Sequence, residues 1–137
     1  MSGTHSTIHS PFPDDRRASV IRWFTAQGFT RARFEHGKLR ITTGRMDETL
    51  VFKLKERPGH DTFFKETGEG ALIVFEVKAD GRRVVWEGYC PLLLFGIWGR
   101  KLAFKAGARA PFRYRDEGHR LAMAFSAYVQ NPGNTNR

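Results

Sequence analysis

Along most of the chain apolar and polar residues alternate with a period of two, and only segments near the two ends follow a helical period. The best-specified stretch is residues 71–88, ALIVFEVKADGRRVVWEG. At its centre, Asp80-Gly81 predicts a type I′ hairpin turn: both central positions need positive φ, which Asp tolerates and Gly accepts freely. That turn sets Val77 opposite Val84, Phe75 opposite Trp86 and Ile73 opposite Gly88. Ile73, Phe75, Val77, Val84 and Trp86 then share one face, as a core face requires. The other face carries Glu76, Lys78, Arg83 and Glu87 mixed with Leu72, Val74 and Val85. Such a mixture predicts partial cover on that side too.

The same alternation predicts strands earlier in the chain. Residues 30–43 read as a hairpin about His36-Gly37, with Phe34 opposite Leu39 and Ala32 opposite Ile41. Its polar face carries Arg31, Arg33, Glu35, Lys38 and Arg40. Residues 48–56 continue as a strand with Leu50, Phe52 and Leu54 inward and Lys53 and Lys55 outward, and residues 61–66 form a short strand before the turn Thr67-Gly68-Glu69-Gly70. A helix opens at Pro13-Asp14-Asp15, where proline and acids suit a first turn, and stops at Gly28. Its apolar side is Val20, Ile21, Trp23 and Phe24. A second helix spans residues 116–130, with Leu121, Phe125, Tyr128 and Val129 on one side and Gly118 weakening its first turn. The expected fold is α+β: a single antiparallel sheet of about five to seven mostly sequential strands, with an N-terminal and a C-terminal helix packed on one face. Residues 1–12 read as a flexible leader, 13–130 as one domain and 131–137 as a polar tail.

Charge changes this picture. The 137 residues carry a net charge of +9, which favours an anionic partner. On the expected sheet, Arg31, Arg33, Arg40, Lys53 and Lys55 lie side by side on the solvated face, with Lys78 and Arg83 on the neighbouring hairpin. A polyanion that neutralised them would bind favourably. Solvated strands also need polar outer residues, and Lys and Arg serve that purpose. No aromatic residue stands on that face to stack on bases. Cys90 is the single cysteine; its apolar neighbours point to a buried, inert thiol, and an internal disulfide is impossible. A cytoplasmic protein is expected. No apolar run reaches the roughly 18–20 residues that span a bilayer, and His5 and His9 in the leader read as ordinary polar residues.

One constellation carries catalytic chemistry. Asp61, a short strand, a tight turn and a hydrophobic strand ending Glu76-Val77-Lys78 resembles the PD-(D/E)xK nuclease superfamily over residues 60–78. A two-residue turn at Gly68-Glu69 would set Asp61 directly across from Glu76, with Lys78 on the same face. The resemblance implies a magnesium ion held by Asp61 and Glu76, with Lys78 steadying the attacking water. His60 stands where the family pattern has proline, and a hairpin follows where the nuclease core crosses over through a helix.

The most apolar run, residues 89–99, holds Leu92, Leu93, Phe95 and Trp98. It reads as core, or as an interface for a protein partner or a second copy of the chain. The function expected first is a small non-enzymatic module, without cofactor, that contacts nucleic acid or another polyanion through a basic sheet face. The alternatives are a magnesium-dependent nuclease and an assembly subunit docked through residues 92–98.

Overall fold

The computed structural model describes residues 4–9, 16–45, 48–80, 83–94 and 97–130. The class is α+β, with one strand before the first helix and the other described antiparallel strands between it and a C-terminal helix. The main sheet has the order β1-β7-β6-β5-β2, from Thr4–His9 (β1), Arg83–Leu94 (β7), Leu72–Asp80 (β6), Asp61–Glu66 (β5) and Thr30–Arg31 (β2), with Ile97–Leu102 (β8) pairing the far end of β7. Lys38–Arg45 (β3) and Glu48–Lys55 (β4) form a separate two-stranded sheet. The hairpin expected within the single sheet therefore stands apart as a second layer.

The reason lies just before β3. His36 has φ 54° and Gly37 φ 77°, the positive pair of a two-residue turn, and Glu35 bridges Lys38 as that turn requires. Pairing stops there. Thr30 and Arg31 pair with Phe64 and Phe63 of β5, and the Ala32 N–H donates to the Thr62 carbonyl. Ile41 takes Phe52, not Ala32, as its partner. Residues 4–9, expected in a flexible leader, are a strand on β7 with Ile8 in register with Val84. Their β-branched Thr4, Thr7 and Ile8, set among polar residues, suit a strand at the sheet edge.

Helix α1 (Arg16–Ala26) ends as its sequence predicts; Pro13, Asp14 and Asp15 lie outside the described residues. Gly28 adopts φ 89° while its N–H donates to the Thr25 carbonyl, and Phe29 N–H donates to the Phe24 carbonyl. This is a Schellman cap, completed by the Phe24–Phe29 ring contact at 5.1 Å. Helix α2 (Arg113–Gln130) buries Gly118, Ala122, Phe125 and Val129 at helical spacing. Gly118 is there for space: a Cβ would stand 2.3 Å from the Phe104 ring. Gly88 of β7 touches the other side of that ring, where a Cβ would lie 2.5 Å away.

Both helices cover one face of the main sheet. The core there joins Phe24, Phe63, Phe75, Trp86 and Phe125 with Ile73, Val77 and Val84. Phe24 stacks on Phe63 at 4.4 Å. The face predicted for the central hairpin is thus the true core face, although its register differs by two residues: Val77 pairs Trp86, Ala79 pairs Val84 and Asp80 pairs Arg83. An even shift keeps every side chain on its own face. The β3–β4 hairpin lies against the opposite face, where Phe52 and Leu54 pack with Leu72, Val74 and Tyr89. The Thr43 hydroxyl donates to the Gly70 carbonyl at 2.9 Å and pins the hairpin to the loop before β6. This second layer is the cover that the mixed face of residues 71–88 required. No described helix is long and apolar enough to cross a membrane.

Candidate functional site

Glu66 pairs with Leu72, so the β5–β6 connection is a five-residue loop over residues 67–71. Thr67 organises it. Its N–H donates to the Ala71 carbonyl, its hydroxyl accepts from the N–H groups of Glu69 and Ala71, and Gly70 supplies φ 76°. With this loop Asp61 pairs Val77 and Thr62 pairs Glu76. The expected two-residue turn is off by one, and an odd shift moves a side chain to the other face. Asp61 therefore lies on the helix face and Glu76 on the hairpin face. The nuclease arrangement does not assemble: the two carboxylates point away from each other across the sheet.

Each has its own partners. Asp61 takes Arg17 Nε at 2.8 Å and Arg17 Nη2 and Arg31 Nη2 at 3.0 Å, and ties α1 and β2 to β5. Burial pushes the Asp61 carboxyl up, but hydrogen bonds and charge from Arg17, then Arg31, outweigh it and hold the group below its usual value. Lys78 is exposed on β6 and forms no site with Asp61.

Glu76 has a different neighbour. It pairs Glu87 directly across β6–β7, so two carboxylates stand side by side, 5% and 3% exposed. Like charges in that position repel unless compensated. Arg57, on the loop after β4, reaches both, with Nη1 at 3.4 Å from Glu76 Oε1 and 3.5 Å from Glu87 Oε1. Lys101 of β8 binds Glu87 Oε1 at 2.9 Å and lies 4.7 Å from the centre of the Tyr89 ring. Tyr89 donates its hydroxyl to Glu76 Oε2 at 2.7 Å. Burial first, then the charge of Glu76, raises the Tyr89 phenol above its usual value. Among the described residues, two acids and two bases thus join in one network.

Four members of the network, Arg57, Glu76, Tyr89 and Lys101, line a cleft of about 980 Å³ between the hairpin and the main sheet. Glu76, Tyr89 and Lys101 line it from the sheet, Leu39, Phe52 and Leu54 from the hairpin, and Arg57 and Pro58 from the loop between. Sequence reading missed Glu87, Arg57, Tyr89 and Lys101 as a group. Glu76 and Glu87 were legible as sharing a face; their adjacency needed the true register.

The expected basic face is redistributed. Arg31 belongs to the main sheet and is taken by Asp61, Arg33 is exposed on the segment joining β2 to β3, and Arg83 is exposed opposite Asp80. Arg40, Lys53 and Lys55 do come together, joined by Lys38. Lys38 pairs Lys55 and Arg40 pairs Lys53 on the outer face of β3–β4, and all four are exposed. A short cationic ladder results. Leu92 and Leu93 belong to β7 and Trp98 to β8. Their side chains, and Phe95 altogether, lie outside the described residues, as does the tail at 131–137.

Cys90 is buried in the helix-side core, and burial pushes its thiol up to about 12. No group of three or more metal-ligating side chains occurs among the described residues. Comparison of the chain with protein-family models, with curated proteins and with solved structures finds no match.

Proposed function

We propose that this protein is a small binding module that holds the phosphate backbone of a nucleic acid, or another linear polyanion, on the outer face of β3–β4. The observation that carries the reading is the ladder of two like-charged cross-strand pairs, Lys38 with Lys55 and Arg40 with Lys53. Like charges directly opposite each other are destabilising. They sit on a hairpin whose inner face is anchored by Phe52 and Leu54, which fixes their spacing. An anionic chain laid along the ladder meets four exposed cations and releases its own counterions. The net charge of +9 adds long-range attraction. A lone buried cysteine and a charged surface suit a reducing cytoplasm, where we place the protein.

The test is fluorescence anisotropy with DNA, RNA and heparin over a range of salt. Binding without added metal, weakening linearly on a log–log salt plot, is expected. The double variant Arg40→Glu, Lys53→Glu removes two exposed cations and reduces that slope by about 0.9 for each phosphate that is no longer neutralised. Unchanged affinity in this variant, or no binding of the parent protein at low salt, would refute the reading.

A further inference from the structure

The cleft beside the ladder bears on which polyanion is held, an inference that rests on the binding reading above. Lys38, Arg40, Lys53 and Lys55 belong to the ladder and also line the cleft. A chain whose phosphates follow the ladder passes beside the cleft, whose exposed rim also holds Glu35 and Glu56. The interior differs in kind from the rim. Phe52, Leu54 and Tyr89 close its floor, and half-buried Leu39 and Pro91 flank them. One carboxylate, Glu76, reaches the cleft from the sheet, with Tyr89 holding its Oε2 at 2.7 Å. The cleft's volume of about 980 Å³ is on the scale of small-molecule pockets.

The candidates differ in what they can place there. A polyphosphate or a sulfated polysaccharide has charge for the rim but no flat apolar unit for the floor. A duplex keeps its bases stacked and must unstack one to offer it. A single strand presents both parts at once: phosphates, and splayed bases with apolar faces and N–H edges. A carboxylate accepts from the amino group of cytosine, whereas the Watson–Crick edge of thymine offers a single N–H between two carbonyls that a carboxylate repels. We propose that the bound polyanion is a single-stranded nucleic acid, and that one base enters the cleft with an amino N–H donating to Glu76.

The experiment compares four probes on the unmodified protein, so the folding of a variant does not enter. They are an oligodeoxycytidine strand, an oligothymidine strand, an abasic strand with the same number of phosphates, and a duplex, each titrated by anisotropy at one salt concentration. The cytidine strand is expected to bind roughly tenfold more tightly than the abasic strand, the scale on which burying one base contributes. The thymidine strand should fall between them and the duplex below the cytidine strand. Equal affinity for cytidine and abasic strands, or tighter binding of the duplex, overturns base insertion while leaving polyanion binding intact. Failure of every strand to bind at low salt overturns both readings.

Discussion

The helices cover one face of the main sheet with a continuous aromatic layer, and the β3–β4 hairpin covers only part of the other. On the helix side Phe24, Phe63, Phe75, Trp86 and Phe125 interlock, and Asp61 stands at the edge with two arginines. On the hairpin side five buried apolar residues sit next to a paired Glu76 and Glu87. Two helices exclude water from a whole face, whereas a two-stranded hairpin shields a strip and leaves a cleft beside it. Closely packed cover suits stability; on the hairpin side the buried carboxylates Glu76 and Glu87 need charged partners instead.

Core truncations test that contrast most strongly. Phe75→Ala removes a fully buried ring in contact with Phe24, Phe29, Trp86, Phe104 and Phe125. It should cost about 3–5 kcal/mol in urea unfolding. Leu54→Ala, on the hairpin side, should cost about 2–4 kcal/mol. Its hydrogen-exchange signature should differ, with amides of β3 and β4 losing protection before those of β6 and β7. Equal loss of protection across both sheets would mean that the two layers open as one.

The charged network comes next. Arg57→Ala leaves the buried carboxylates of Glu76 and Glu87 with fewer partners and should destabilise by roughly 1–3 kcal/mol in thermal or urea unfolding. Adding Glu76→Gln should restore part of that loss, because one of the opposed charges is gone. A purely additive double variant would show that Arg57 does not serve the pair.

Asp61→Asn should have a smaller effect, roughly 1 kcal/mol at neutral pH, since Arg17 and Arg31 are both substantially exposed. The folded carboxyl lies below its ordinary value, so its contribution is present above about pH 4 and lost as pH falls through the folded value. The gap between parent and variant should therefore close in acid. Persistence of the full gap at low pH would show that charge is not its source.

A last test lies at high pH, through Cys90 on the helix side. With its thiol raised to about 12 from 9.0, native stability is intact below pH 9 and falls as pH rises towards 12, where the unfolded thiol ionises first. At neutral pH a thiol reagent should label Cys90 only on unfolding. Rapid labelling of the native protein would mean that the helix-side core opens easily.

The same contrast separates what could be read along the chain from what could not. Alternation placed β4 over residues 48–56, one residue longer than the observed Glu48–Lys55, and gave β5 its true bounds, and the shared face of Ile73, Phe75, Val77, Val84 and Trp86 is the real core face. Gly28 after Phe24 and His36-Gly37 before Lys38 are signals that act within one turn, and both hold. Register was less legible. At Asp80 the pairing moved by two residues and nothing changed face. At residues 67–71 it moved by one, and Asp61 parted from Glu76. Thr67 caused that shift by accepting two backbone N–H groups, a loop chemistry that the residue types Gly68-Glu69 do not announce.

Local steric and periodic preferences, which act over a few residues, were enough to determine the α+β class, most strands, the helix stop and the core face. Only the tertiary structure decided that β3 pairs β4 alone, that Glu76 meets Glu87, and that Lys38 and Lys101 join the cleft. Those outcomes depend on the competition between β3 and β5 for the strand at residues 30–31, and on contacts between residues far apart in the chain. No periodicity within either segment records who wins such a competition, because the energies that settle it belong to the pair.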